Sequence, residues 1–181
     1  MLKSKSLALT YKDYLIYTAN SDRLYELIEG EIVMTPSPGF YHQKTVMNLS
    51  AILHDFVKKN SLGIVLTAPM DLYVDEVNVL QPDIIFISKE KSYIIEETKI
   101  NRSPDLVIEI ISPSTEVRDR EIKKKIYANA EIQEYWIADP AAKVIEVHLL
   151  GDEGYLLSGR YTKRFTSNTF PGLFISPSGI F

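Results

Sequence analysis

The hydrophobic pattern is clearest between residues 104 and 140, where two apolar runs flank an amphipathic segment. Residues 106–111 are apolar at every position except Glu109. A short apolar run without alternation is typical of a strand that is covered on both faces. The amphipathic segment extends to about Ala130. The second apolar run lies in residues 134–138, where only Glu134 is polar. The order strand, helix, strand predicts two parallel strands joined by a crossover helix.

The rest of the chain predicts two further helices and several shorter strands. Helical periodicity is strongest over residues 42–59, whose apolar stripe comprises Val46, Leu49, Leu53, Phe56 and Val57. A shorter helix is predicted over residues 9–19. Strands are predicted over residues 23–28, 31–34, 63–67, 71–74, 80–88, 144–150 and 155–157. Strands and helices mixed in this way predict one α/β (α+β) domain that spans residues 1–181.

The composition excludes several classes of protein. The chain contains no cysteine, which excludes disulfides, thiolate catalysis and cysteine-based zinc sites and suits a cytoplasmic location. Its net charge of −4 excludes a strongly basic nucleic-acid-binding protein, but not a local basic patch. No apolar run is long enough to predict a membrane span. The run that follows Lys3 and Lys5 is also too short for a signal peptide.

Two carboxylates in predicted buried strands form the first candidate site. Glu109 lies in the middle of residues 106–111, and Asp83 lies near the start of residues 80–88. A carboxylate in a strand core is costly unless it is paired, protonated or bound to a cation. Two carboxylates on neighbouring strands repel each other unless a divalent cation neutralises them, and oxygen ligands favour Mg²⁺ or Mn²⁺. The alternative is that each acid is solvated or capped at a strand end.

Lys123 is the candidate cation of this site. Spacing by four residues places Asp119, Lys123 and Tyr127 on one face of the predicted helix. A lysine near a phosphate could position or deprotonate the attacking water and offset negative charge. The alternative is a solvated side chain, because Lys124 and Lys125 follow directly and most helix lysines face water.

Three other polar residues receive weaker predictions. Asp105 shares a strand face with Glu109, but four residues span about 13 Å, so one ion cannot easily bind both. Asp105 is expected to orient either a group that contacts a metal ligand or a strand end. Glu26 is expected to be a surface carboxylate of a hairpin, although it could reach the acids. His42 is expected to be a satisfied or solvated histidine, the alternative being a ligand of a metal or a water.

Taken together, these residues resemble the Uma-two family, within the PD-(D/E)XK restriction-endonuclease-like superfamily. The matching segments are, in chain order, YELIEGEIVM, His42 at the start of the long helix, QPDIIFIS, PDLVIEIISPST, the face of Asp119, Lys123 and Tyr127, and EYWIADP. Each segment alone is weak evidence, whereas the combined order and spacing are specific. The C-terminal part of the chain carries little of the resemblance.

The resemblance implies a mixed central β-sheet flanked by helices, a divalent-metal site and hydrolysis of phosphodiester bonds. It assigns the first acid of the superfamily to Asp83 and the second to Glu109, with the backbone carbonyl of Ile110 as a further ligand of Mg²⁺ or Mn²⁺. The usual lysine, two residues after the second acid, falls on Ile111 here. Either Lys123 takes over that role from the helix or activity is impaired, and the neighbours of Lys123 favour the first.

Three functions follow as hypotheses. The first is a cytoplasmic, Mg²⁺-dependent DNA endonuclease with Asp83, Glu109 and Lys123 as catalytic residues. The second is a non-catalytic binding protein that keeps the nuclease scaffold, and it rests on Ile111 and on the acidic net charge. The third is a metal-dependent hydrolase of small phosphate compounds. Cutting both strands of a duplex needs two sites, which is compatible with a homodimer, although no residue requires one.

Overall fold

Two β-sheets organise the protein. The computed structural model describes residues 7–181, so Lys3 and Lys5 of the N-terminal segment lie outside the described residues. The strands are β1 (Tyr25–Ile28), β2 (Glu31–Met34), β3 (Gly63–Thr67), β4 (Asp71–Asp75), β5 (Asn78–Leu80), β6 (Ile84–Ser88), β7 (Lys99–Asn101), β8 (Leu106–Ile110), β9 (Glu134–Asp139), β10 (Val144–Gly151) and β11 (Gly154–Tyr161). A six-stranded sheet has the order β11-β10-β9-β8-β6-β3, and a five-stranded sheet has the order β2-β1-β5-β4-β7.

Helices flank this mixed arrangement, which confirms the predicted α+β class. They are α1 (Tyr11–Thr18), α2 (Phe40–Lys59) and α3 (Lys124–Asn129), and a π-helical segment (Arg118–Lys123) runs directly into α3. Short 3₁₀ segments cover Lys89–Ile94 and Pro177–Gly179. Within residues 7–181, no helix combines the length and the apolar content that a membrane crossing requires.

The predicted crossover between residues 106 and 138 is confirmed. Strands β8 and β9 are parallel, with Ile108 paired to Trp136, and the π-helix and α3 connect them. Strand β6 lies on the other side of β8 and runs antiparallel to it, with Ile84 paired to Ile108. The two strands that were predicted to carry the acids are therefore direct neighbours inside the six-stranded sheet.

The predicted strand over residues 80–88 is wrong in one respect, because the chain changes sheets inside it. Strand β5 ends at Leu80 in the five-stranded sheet, and β6 begins at Ile84 in the six-stranded sheet. Pro82 lies between them and has no N–H to give to a ladder, which favours a break at this point. The break places Gln81 and Asp83 at the junction of the two sheets rather than inside one strand.

Two apolar clusters cover the two faces of the six-stranded sheet. On one face, Leu49, Leu53 and Val57 of α2 are buried against the sheet together with Phe170 and Ile180 of the C-terminal segment. The predicted stripe of the long helix and the predicted packing of the C-terminus are thus confirmed. The opposite cluster contains Ile85 of β6, Val107 of β8, and Ile126 and Tyr127 of α3. By strand alternation, Glu109 faces this second side with Val107.

Candidate active site

A cleft of about 910 Å³ lies where the link between the two sheets meets the end of β8 and the start of α2. One wall consists of residues 34–39 and the first turn of α2, most of which are exposed. The cleft is also lined by the charged side chains Glu26, Asp83, Glu109, Arg118, Asp119 and Lys123. The cleft therefore unites the three residues of the predicted catalytic set with acids from other parts of the chain.

Strand register places Asp83 beside Glu109. Ile84 pairs with Ile108 in the antiparallel ladder of β6 and β8, so one further step puts Asp83 opposite Glu109. Residues opposite each other in an antiparallel pair project to the same face. The N–H of Ile110 donates to Asp83 Oδ2 at 2.7 Å, which fixes one carboxylate oxygen at the end of β8.

His42 belongs to the site through Asp83. Its Nε2 lies 3.2 Å from Asp83 Oδ2, while its Nδ1 is buried without a hydrogen-bond partner among the described residues. Burial is the largest influence on the pKa of His42 and lowers it, but the hydrogen bond to Asp83 and the charges of Asp83 and Asp119 together outweigh burial and raise the pKa. The expectation of a satisfied or solvated histidine is thus half right, because one nitrogen is satisfied by a candidate metal ligand.

Glu109 is buried and bound through one oxygen. Its Oε1 accepts hydrogen bonds from Lys123 Nζ at 2.9 Å and from Tyr127 OH at 2.5 Å. Burial raises the pKa of Glu109 well above its usual value, and the charge of Lys123 opposes that rise. Glu109, which the sequence predicted as a site residue, is therefore held in place by Lys123 and Tyr127 of the predicted helix.

Lys123 is surrounded by carboxylates and is not a solvated helix lysine. Its Nζ lies 2.7 Å from Glu26 Oε1, 2.9 Å from Glu109 Oε1 and 3.7 Å from Asp119 Oδ1. Burial lowers the pKa of Lys123, but the neighbouring carboxylates, Glu109 first, outweigh burial and raise the pKa well above its usual value. Lys123 is 5% exposed, whereas Lys125 is exposed on the same helix, so register separates the two lysines as predicted.

The helix that carries Lys123 departs from the regular α-helix that was predicted. Residues 116–117 are α-helical, and Arg118–Lys123 then forms a π-helix before α3 begins. A π-helix is rare and occurs frequently at functional sites. The shared face of Asp119, Lys123 and Tyr127 nevertheless persists, because Lys123 contacts Asp119 and both Lys123 and Tyr127 reach the same oxygen of Glu109.

The prediction that Glu26 is a surface carboxylate is wrong. Glu26 is 2% exposed, accepts the N–H of Gln81 at 2.8 Å and lies 3.8 Å from Arg118. Its neighbours Tyr25, Leu27 and Ile28 are apolar, so the signal that identified Glu109, an acid inside an apolar run, was also present here. That signal was misjudged because Glu26 lies in a predicted hairpin, and an isolated two-stranded hairpin is normally solvated on one side. In the structure, β1 also pairs with β5, so the hairpin is part of a larger sheet.

Asp105 is not among the residues that line the cleft. Its Oδ2 accepts the N–H of Ser88 at 2.6 Å, and its Oδ1 lies 3.3 Å from Lys91 Nζ. These contacts tie the end of β6 to the start of β8. Asp105 therefore orients strand ends and takes no part in the acid cluster.

The donor set of the cleft fits a hard divalent cation. The described residues contain no ready-made group of three His, Asp or Glu ligands. Mg²⁺, however, uses one or two carboxylates and keeps several waters. Asp83 and Glu109 line the same cleft, as does Gln81, whose Oε1 is buried without a hydrogen-bond partner among the described residues. The predicted carbonyl ligand Ile110 also lines the cleft, and its N–H already holds Asp83.

The two sheets and their flanking helices define a mixed α+β protein. A solved structure described as "a putative nuclease belonging to DUF820", from Anabaena variabilis ATCC 29413, superposes with a TM-score of 0.76 over 95% of this chain and 97% of that chain, at 18% identity. The similarity at that identity concerns the fold. An uncharacterized protein of Synechocystis sp. is 25% identical over 161 residues, which cover 87% of this chain and 90% of that protein.

The family assignment is direct. The Uma2 family model, described as "Putative restriction endonuclease", matches residues 11–178. The protein therefore belongs to the Uma2 family, as the resemblance implied.

Proposed function

We propose that this protein is a divalent-metal-dependent endonuclease that hydrolyses phosphodiester bonds in DNA. The observation that carries the proposal is the contact between Lys123 Nζ and Glu109 Oε1 at 2.9 Å, in a cleft that Asp83 also lines. An acid pair and a cation held together in a cleft are the parts that phosphodiester hydrolysis requires. The family of the chain and its fold support the same class of activity.

Each residue has a distinct role in this proposal. Asp83, Glu109 and the carbonyl of Ile110 would hold Mg²⁺ or Mn²⁺, which supplies Lewis-acid stabilisation of the phosphate and an activated water when bound. His42 and the N–H of Ile110 orient the carboxylate of Asp83. Lys123 offsets negative charge on the phosphate as an ammonium ion, because its pKa lies well above the usual value.

The shape of the cleft favours a polymer over a small phosphate compound. The wall formed by residues 34–39 is largely exposed, so the cleft is open along one side rather than closed around a small ligand. Arg23 and Arg118 also line the cleft and could contact phosphates. The chain as a whole has a net charge of −4, so binding to DNA would depend on these local cations and on the bound metal.

Nicking of supercoiled plasmid in Mg²⁺ or Mn²⁺ tests the proposal. We expect Asp83→Asn and Glu109→Gln to lower the nicking rate at least about 100-fold, because each removes a negatively charged oxygen ligand. Lys125→Met is the matched control, since that lysine is exposed on the helix of Lys123. The proposal fails if the purified protein nicks neither DNA strand with either metal, or if Glu109→Gln and Lys123→Ala nick as fast as the unmodified protein.

A second candidate function is a binding protein that keeps the nuclease scaffold without catalysis. Ile111 occupies the usual lysine position, and the ammonium of Lys123 already lies within 4 Å of three carboxylates. Titration with Mn²⁺ by calorimetry separates the two functions. Binding that Asp83→Asn abolishes favours the endonuclease, and the absence of binding favours the scaffold.

Location and assembly complete the proposal. We place the protein in the cytoplasm, because it has no cysteine and needs no disulfide. A homodimer would supply the second site that a double-strand cut requires. Sedimentation of the purified protein tests the dimer, and a monomer that still cuts both strands would rule it out.

A further inference from the structure

Gln81, which lines the cleft, has an unsatisfied hydrogen-bond acceptor. Its Oε1 is buried and makes no hydrogen bond within residues 7–181. Buried polar atoms in folded proteins nearly always have a partner, so such an atom requires an explanation. Gln81 lines the cleft together with Asp83 and Glu109 and directly precedes the Pro82–Asp83 pair. The residue with the unsatisfied oxygen therefore lines the same cavity as the two candidate metal ligands.

The orientation of the amide is fixed from the other side. Gln81 Nε2 donates to Asp71 Oδ1 at 2.7 Å, and the same oxygen accepts the hydroxyl of Tyr14 at 3.1 Å. If the amide were flipped, its carbonyl oxygen would face a carboxylate oxygen, and a hydrogen bond would be replaced by repulsion. The hydrogen bond to Asp71 thus fixes the amide so that Oε1, and not the NH₂ group, is left without a partner.

The main chain of Gln81 is tied to the same acid cluster. Its N–H donates to Glu26 Oε1 at 2.8 Å, and that oxygen lies 2.7 Å from Lys123 Nζ. Gln81 is therefore held at both its backbone and its side chain. A side-chain oxygen whose position is fixed in this way is suited to bind a cation, because the side chain loses little conformational freedom on binding.

We propose that Gln81 Oε1 is a further oxygen ligand of the divalent cation held by Asp83 and Glu109. The proposal rests on the proposed metal-dependent function and adds a neutral donor to it. Mg²⁺ and Mn²⁺ accept amide oxygens alongside carboxylates. A neutral donor is suited to this cleft, because Glu26 and Asp119 already add negative charge and a third anionic ligand would increase their repulsion.

Mn²⁺ affinity, measured by calorimetry and by the electron paramagnetic resonance signal of free Mn²⁺, tests this role without any nuclease assay. Gln81→Leu should weaken Mn²⁺ binding about 10-fold or more, because it removes the oxygen. Gln81→Glu keeps an oxygen at that position and should bind Mn²⁺ about as tightly as the unmodified protein does. Gln43→Leu is the matched control, since Gln43 lines the exposed wall of the cleft.

The outcomes divide clearly. Weaker binding in Gln81→Leu, with Gln81→Glu and Gln43→Leu close to the unmodified protein, supports the ligand. Equal affinity in Gln81→Leu overturns it, and so does an equal loss in both Gln81 variants, which would show that the contact with Asp71 matters instead. If Asp83→Asn does not change Mn²⁺ binding, or if the unmodified protein binds no Mn²⁺, the proposed function itself fails and the ligand with it.

Discussion

Replacing Lys123 with methionine keeps the length of a buried side chain but removes the ammonium that three carboxylates surround. The distances from Nζ to Glu26, Glu109 and Asp119 are 2.7, 2.9 and 3.7 Å. At an effective dielectric constant of about 20, each attraction is about 4–6 kcal/mol before the cost of desolvation. Desolvation of the buried ions cancels much of this gain, so the attractions cannot simply be added.

The net change in the free energy of unfolding depends on the carboxylates that lose their counter-ion in the variant. Removing one partner of a buried ion pair costs about 3–5 kcal/mol, because the remaining charge is buried without compensation. Here the remaining charges are carboxylates that lie close together, and Glu109 and Glu26 are at most 3% exposed. We therefore expect Lys123→Met to lower the free energy of unfolding by about 3–5 kcal/mol at neutral pH.

Urea unfolding, followed by circular dichroism in the presence of a chelator, measures this difference. Lys125→Met is the matched control, because the same substitution on the exposed side of the same helix should stay within about 0.5 kcal/mol of the unmodified protein. Equal stabilities of the two variants would refute the reasoning. They would mean that the carboxylate cluster does not depend on the ammonium of Lys123.

The remaining predictions concern parts of the fold away from the cleft. Burial, and then the charge of Lys124, lower the pKa of His148 to about 4, so the unfolded chain binds a proton first as the pH falls. The free energy of unfolding should therefore drop by about 3 kcal/mol between pH 7 and pH 4 through this group, and His148→Phe should show a correspondingly flatter pH dependence in urea titrations. Glu134→Ala should cost about 3 kcal/mol in the same assay, because Glu134 Oε2 accepts from both Thr169 N and Thr169 Oγ1, at 3.0 and 2.6 Å; a cost below about 1 kcal/mol would contradict this. Leu53→Ala should cost about 2–5 kcal/mol in urea unfolding, because Leu53 is fully buried between α2 and the six-stranded sheet, and a smaller loss would mean that the core collapses around the site.

Local pattern was sufficient to predict the centre of the fold. The apolar run around Glu109, the amphipathic segment and the second apolar run predicted β8, the helix and β9, and the parallel register of β8 and β9 confirms that order. Periodicity also placed Lys123 on the inner side of its helix. These features depend on residues that are close in sequence, so one stretch of chain contains the necessary information.

Features that depend on distant partners could not be predicted in the same way. The burial of Glu26 requires β5 at its edge and Lys123 from a helix far along the chain. The contact between His42 and Asp83 likewise joins two elements whose packing no local pattern specifies. Pro82 marks the break between β5 and β6, but the apolar residues on both sides of it favoured one continuous strand. The break follows from the second sheet, because β5 pairs there and β6 does not.

The charge balance of the cleft distinguishes two possible roles of Lys123. Five acids and three cations line the cleft, which leaves a formal charge of −2 when His42 is neutral: Asp22, Glu26, Asp83, Glu109 and Asp119 against Arg23, Arg118 and Lys123. A divalent cation would neutralise that excess, whereas a scaffold without catalysis has no need to maintain it. Lys123→Met loses stability in either case, but the two functions predict different responses of the variant to Mn²⁺. If the cleft is a metal site, the variant gains Mn²⁺ affinity, because one positive charge has left, while its nicking rate falls. If the lysine itself is the permanent counter-ion of a silent scaffold, Lys123→Met loses stability and Mn²⁺ does not restore it.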